Sequence, residues 1–458
     1  MSATTQAPTS RRRLAIVTAC AGGFLAFLDT TIVNTAFPDI AASFPSASAA
    51  SLSWVLDAYF IVIAALLVPA GGVADRLGRK RVFLAGILLF VAASVACAAA
   101  PSWEALVAAR IVQGAGAAIS VPVSLALILP EYPVGRRAAA VGTWGASAAL
   151  AAATGPALGG LLADTADWRW VFLVNLPLGL AIFLMGRRWM IESVDEDATG
   201  LPDLAGALLA IAGLGLLALA IVQGGEWGWL DARVVGSFGA ALVLLTLTAA
   251  RCLSHPRPIL DPALMRIRSF SRANVGTLLL GMGFFSTILG NILFLTSIWG
   301  YGILTAGLAV VPGAVASAAV AAPAGRLADA YGYRAVIVPG CLLYAAGILI
   351  VRTAGTEPDF VGTWLPAMVL NGTGLGMAFP ALGAAALVDV PPARFASATA
   401  VSAAFRQFGG VLGTAGLFAV IGTPATLAAA LDAAHDAYLL SAGWALAAGG
   451  VALTLRRG

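Results

Sequence analysis

The chain has 458 residues, of which 60% are hydrophobic and only 10% charged, and its formal net charge is +4. A soluble globular chain carries about a quarter charged residues, so this one lacks the charges to cover a water-facing surface. Apolar runs of about 20 residues without alternation exclude a β-barrel and indicate an all-α polytopic membrane protein.

The first run, about 14–37, opens behind Arg11, Arg12 and Arg13 and contains Asp29 in the stretch FLDTTIVN. It is too long for a signal peptide and lacks a small-residue cleavage site, so it reads as a retained helix. An aspartate at the centre of such a span costs roughly 2.5–3.5 kcal/mol. Further runs at about 51–74, 81–100, 103–128, 137–163, 169–189, 203–223, 233–251, 273–297, 301–324, 334–352, 360–388, 396–421 and 436–455 predict about fourteen spans in all.

The basic residues test that count. With a cytoplasmic N-terminus, the inner loops hold 21 of the 26 Lys and Arg, among them Arg76, Arg79, Lys80, Arg187, Arg188, Arg251 and Arg272. The outer loops hold Arg169, Arg233 and Arg352, and Arg110 and Arg406 fall within helices. The bias follows the positive-inside rule throughout and predicts both termini on the cytoplasmic side.

The two halves repeat. GGVADRLGRK (71–80) follows the second span and GRLADAYGYR (325–334) follows the tenth, with Asp75 and Asp329 254 residues apart. Two extra spans between two six-helix halves account for that offset. The predicted division is an N-terminal bundle over 1–192, linkers with two accessory helices over 193–268, and a C-terminal bundle over 269–458. Four scattered cysteines and two distant histidines form no metal or redox motif. No HExxH or GxSxG argues for an enzyme, and no GxxxxGKS or GxxxxGKT argues for ATP drive.

Six stretches resemble the major facilitator superfamily and, within it, the fourteen-helix drug:proton antiporters. They are LDTTIVNTAFP (28–38), GGVADRLGRK (71–80), RIVQGAGAA (110–118), GASAALAAATGPALGG (145–160), DWRWVFLVNLPLG (167–179) and RQFGG (406–410). The resemblance implies a rocker-switch transporter in a bacterial cytoplasmic membrane. It implies a multi-pass monomer that takes hydrophobic small molecules, with protons as coupling ion and with neither organic cofactor nor nucleic-acid partner. Export of hydrophobic, including cationic, drugs is the expected activity. Export of a self-made metabolite is the alternative, and proton-coupled uptake a weaker one.

The candidate residues follow. At 1.5 Å per residue, Asp29, Asp57 and Arg110 fall at similar depth in the outer half of the bilayer, so they are expected to gather around a central cavity and carry the proton. The competing reading of each is a polar group satisfied within helix packing. Gly71, Asp75, Arg76, Gly78 and Arg79, with Asp329 in the degraded second copy, are expected to form a latch at the cytoplasmic side. Their charges also serve simply to hold the loop inside. Gly155, Pro156, Gly159 and Gly160 combine a ring that blocks a backbone hydrogen bond with close-contact glycines, either a hinge or a tight packing face. The family links that motif to antiport. Asn34, Trp54, Tyr59, Gln113, Asn291 and Arg406 are candidates for the substrate cavity. Gln407, Asn371, Asn291 or backbone carbonyls are expected to satisfy Arg406, unless it faces an anionic substrate group.

Overall fold

A computed structural model describes residues 9–128, 131–132, 137–194, 203–256, 258–391 and 394–455. Arg136, Arg257, Arg456, Arg457 and most of the acidic stretch at 192–200 lie outside the described residues. Within them the chain is helical, with no strand.

The first half holds α1 (Thr9–Ser43), α2 (Ala49–Leu77), α3 (Arg79–Ala98), α4 (Trp103–Ile128) and α5 (Arg137–Thr165). The sixth expected span is broken into a short α6 (Trp170–Leu173) and α7 (Asn175–Trp189). An accessory hairpin follows, α8 (Leu204–Trp227) and α9 (Ala232–Ser254), then the single turn α10 (Pro262–Met265). The second half holds α11 (Arg268–Ser297), α12 (Ile303–Tyr331), α13 (Arg334–Val351), α14 (Leu365–Leu387), α15 (Phe395–Ile421) and α16 (Leu427–Ala452). A π-helical turn at Phe360–Trp364 leads into α14.

Twelve helices among the described residues are long and apolar enough to cross a membrane. Two other long helices stand outside that twelve: Arg137–Thr165, and Leu427–Ala452, whose first half carries Asp432, His435 and Asp436. The protein is therefore a multi-pass membrane protein. Side-chain oxygens complete several helix starts, as at Ser48, which accepts from the Ser51 N–H at 3.1 Å and satisfies one orphan donor of α2.

Burial divides into two main cores. One gathers α1 to α7 and reaches across to Phe285, Leu289, Val411, Ala415 and Phe418, while the other lies wholly between α11 and α16 apart from Val68 at its edge and linker residues such as Leu264. Two seams join the halves, α2 against α15 and α5 against α12. The starts of α1, α3, α11 and α13 share one end with the termini of α7, α9 and α16, and arginine concentrates there. Arg11 donates to Trp189 O at 3.1 Å, Lys80 to Arg187 O at 2.9 Å, and Arg272 to Thr454 O at 2.5 Å. We call this the basic end and the opposite one the far end.

Candidate functional site

Asp29 of α1 is fully buried in a network drawn from five helices. Its Oδ2 lies 2.5 Å from an Arg110 guanidinium nitrogen of α4. Its Oδ1 accepts from Gln113 Nε2 at 2.7 Å and from Asn175 Nδ2 of α7 at 3.0 Å. Gln113 in turn donates to Ser94 Oγ of α3 at 2.8 Å, and its Oε1 accepts from Arg110 at 2.6 Å. Arg110 Nε donates to Val55 O of α2 at 2.9 Å, and its guanidinium lies 3.9 Å from the centroid of the Tyr59 ring. Both oxygens of Asp29 are engaged, so a proton arriving on either one must displace a donor. Breaking one side of such a buried pair is costly, because the other charge is left without compensation.

Asp57 stands apart from this network. No hydrogen bond or ion pair among the described residues joins it to Asp29 or Arg110. Asp57 points from α2 toward the other half. Its Oδ1 accepts from Thr414 Oγ1 of α15, and its Oδ2 is buried without a donor. Both side chains are completely buried. Thr414 Oγ1 also lies 2.7 Å from Gly410 O. A hydroxyl has one hydrogen. When Asp57 is ionised, that hydrogen points to the carboxylate. When Asp57 is protonated, the acid donates to Oγ1 and the Thr414 hydrogen turns to Gly410 O. The bond between the halves therefore persists in both states with its direction reversed.

The 71–80 stretch folds as a tight corner. Gly78 has φ +106°, a conformation that favours glycine. Asp75 pairs with Arg79 at 2.8 Å within one turn. Glu192, the last residue of the predicted N-terminal bundle, covers the start of α3. Its oxygens accept from the Lys80 N–H at 2.9 Å and the Arg81 N–H at 3.1 Å, an anion on a helix N-terminus. Arg76 is exposed, and the Asp329 side chain lies outside the described residues.

The α5 motif packs on both sides. Gly155 faces Thr31, and a Cβ at Gly159 would lie 2.9 Å from Ile32 O of α1. A Cβ at Gly160 would lie 2.8 Å from Ile303 O of α12, and one at Gly307 would collide with Pro156 O. These contacts, with Phe37 against Phe418 at 5.5 Å and Phe60 against Phe285 at 4.7 Å, seal the far half of the molecule. Toward the basic end, a Cβ added at Gly71 or Gly325 would meet no atom within 4 Å. The halves thus meet through close contacts toward the far end.

Of the other cavity candidates, Tyr59 is buried over Arg110 and donates to Ala26 O at 3.2 Å. Gln113 lies within the ion-pair network, and Asn34 is buried and donates back to Thr30 O. Asn291 accepts from the Tyr438 hydroxyl at 2.9 Å inside the second half. Trp54 is half-buried. Arg406 is half-buried on α15 and points to α1, with its guanidinium carbon 5.1 Å from the Phe27 ring centroid. The expected partners Gln407, Asn371 and Asn291 form no hydrogen bond with it.

The sequence alone does not single out Asn175, Ser94, Thr414 or Glu192. Asn175 carries a usable signal, an amide within an apolar run. Ser94 and Thr414 carry none, because hydroxyl residues are common in spans and bond back to their own helix.

Comparison with known proteins bears on the whole chain. The family model of the Major Facilitator Superfamily matches residues 19–414. The chain is 33% identical over 428 residues to the multidrug resistance protein Stp of Mycobacterium tuberculosis, covering 93% of this chain and 78% of that protein. It is 35% identical over 443 residues to the puromycin resistance protein pur8 of Streptomyces alboniger, covering 94% and 86%. It is 32% identical over 438 residues to the cephamycin export protein CmcT of Amycolatopsis lactamdurans, covering 94% and 90%. The D-xylose–proton symporter structure shares the fold, with TM-score 0.67 at 17% identity over 97% of both chains. The nucleoside transporter NupG gives 0.66 at 14% identity over 97% of this chain and 100% of that one. With paired helical halves, a far-end seal and a matching family model, the chain is a membrane transporter, not an enzyme, and belongs to the Major Facilitator Superfamily.

Proposed function

We propose that this transporter crosses the bacterial cytoplasmic membrane fourteen times, with both termini inside, and exports hydrophobic compounds in exchange for protons. The basic end is then the cytoplasmic end, in keeping with the positive-inside rule. Relatives named for drug resistance and export support the direction. The observation that carries proton coupling is the Asp57–Thr414 bond, a titratable group from one half held by a hydroxyl from the other, with a second oxygen free of donors. Asp29, bound by three donors, serves with Arg110 as the frame of the N-terminal half. The Asp57 carboxylate is sealed within the α2–α15 seam, so the proposed export does not depend on a cationic substrate. Each charge moved across about 100 mV supplies roughly 2.3 kcal/mol to the exchange.

Two relatives named for one compound each, cephamycin and puromycin, favour a second reading, export of a single metabolite by the same machinery. The test is direct. Inverted vesicles carrying the protein are acidified inside, and hydrophobic compounds are added singly. Dissipation of the proton gradient by several unrelated compounds supports drug export; by one compound alone, metabolite export. If none dissipates it, or if Asp57→Asn dissipates it fully, proton coupling at Asp57 is refuted.

A further inference from the structure

We infer that Arg406 of α15 and Phe27 of α1, which meet across the two halves, form a receptor for an anionic aromatic group. Its role in transport rests on the export reading; its binding chemistry does not.

Charge placement within the spans leads to this site. Asp29 and Arg110 neutralise each other, and both are sealed from solvent. Asp57 is sealed too, and Thr414, its partner, stands eight residues from Arg406 on α15, about 12 Å along the axis. No carboxylate, carbonyl or hydroxyl among the described residues accepts a hydrogen bond from Arg406. Its one partner among them is the ring of Phe27. A guanidinium presents five donors in a planar fork suited to a carboxylate, and here that fork has no acceptor.

The surroundings fit an aromatic ligand. Phe27, Trp144 and Arg406 are all half-buried, whereas the carboxylates near them are closed off. Trp144 meets Phe27 edge-on at 5.7 Å, and its indole N–H is fixed by Ser124 Oγ at 2.8 Å. Phe27 and Arg406 sit about midway along α1 and α15, and Trp144 lies in the first third of α5, toward the basic end. Holding a cation there without a counter-ion is unfavourable, and an aromatic face offsets only part of that cost. A hydrophobic anion supplies the missing counter-charge and stacks on the same rings. The favoured substrate class is thus an aromatic compound bearing a carboxylate or similar acid.

The test uses full-length protein in maltoside micelles and three probes of one shape: pyrenebutyrate, pyrenebutyramide and pyrenebutyltrimethylammonium. Binding is read from the loss of tryptophan emission. Pyrenebutyrate is expected to bind about tenfold more tightly than the amide, in line with a charge-assisted pair replacing a neutral one. Arg406→Gln is expected to erase that ratio, Arg406→Lys to keep most of it, and Phe27→Ala to weaken all three probes alike. The inference is overturned if the ammonium probe binds best in the wild type, or if Arg406→Gln leaves the butyrate-to-amide ratio unchanged. A ratio that behaves as expected in a protein that exports nothing supports the receptor and sinks the export reading instead.

Discussion

The Asp29–Arg110 pair makes a quantitative prediction about stability. In Asp29→Asn the new amide must point its hydrogens either at Arg110 or at the Gln113 and Asn175 donors, so at least one donor meets another donor. Arg110 keeps its charge with only Val55 O, Gln113 Oε1 and the Tyr59 ring around it. Removing one partner of a buried pair costs about 3–5 kcal/mol, and Arg110→Gln should cost the same for the converse reason. The double variant leaves no buried charge and should lose less than the sum of the single variants, by about 2–3 kcal/mol in a double-mutant cycle. The assay is thermal unfolding in detergent with a thiol-reactive dye, since Cys97, Cys252 and Cys341 are buried and become reactive only on opening. The expected order of melting temperature is wild type, then both singles, then the double variant, whose loss stays below the two single losses combined. Single variants that melt with the wild type, or a double variant that loses the full sum, would refute the argument that this pair frames the bundle.

Three further outcomes are expected. Thr414→Val removes the hydroxyl that binds Asp57 and should uncouple proton flow from export, while Thr414→Ser restores it; equal activity of both would exclude the cross-half bond from coupling. Burial pushes the Asp203 carboxyl up, but the Gly206 N–H and the Arg251 side chain outweigh it and leave the group below its ordinary value. Its stabilising contribution is therefore present above the unfolded carboxylate range and is lost as pH falls through the folded value, so Asp203→Asn should melt lower than wild type at neutral pH and converge with it only as pH falls through that lowered value. A difference that persists in acid would contradict that sign. Gly160→Leu forces a side chain into Ile303 O and Leu304 Cα of α12, which should loosen the far-end seal; a cysteine at Thr35 should then react faster with an impermeant thiol reagent, and an unchanged rate would count against the seal.

Much of the fold is legible in the sequence because bilayer burial imposes long apolar runs, and the resemblance carries the family. The turn at Val174 between α6 and α7 is not legible, since it keeps helical dihedrals and leaves one continuous span from Trp170 to Trp189. The candidate site divides in the same way. Depth along a helix follows from residue count, which puts Asp29, Asp57 and Arg110 near one level. Which way each side chain turns around its axis depends on neighbouring helices, and that is where Asp57 parts from the other two. Gln113 is expected at a cavity wall, but its amide is consumed by Asp29, Ser94 and Arg110. Glu192 is hidden because its donors, the first N–H groups of α3, lie 112 and 111 residues away in the chain.

The accessory hairpin has a mechanical consequence. Helix α8 contacts both α2 and α15, one from each half, through a row of modest side chains that includes Leu214, Ala218 and Val222, while α9 lies outside it. Any rocking of the halves against each other must therefore shear along α8. Leu214 and Val222 project from that face beside Ala218, so such a movement would carry their side chains across α2 and α15. The hairpin lies along one seam only and leaves the α5–α12 seam without such a cover.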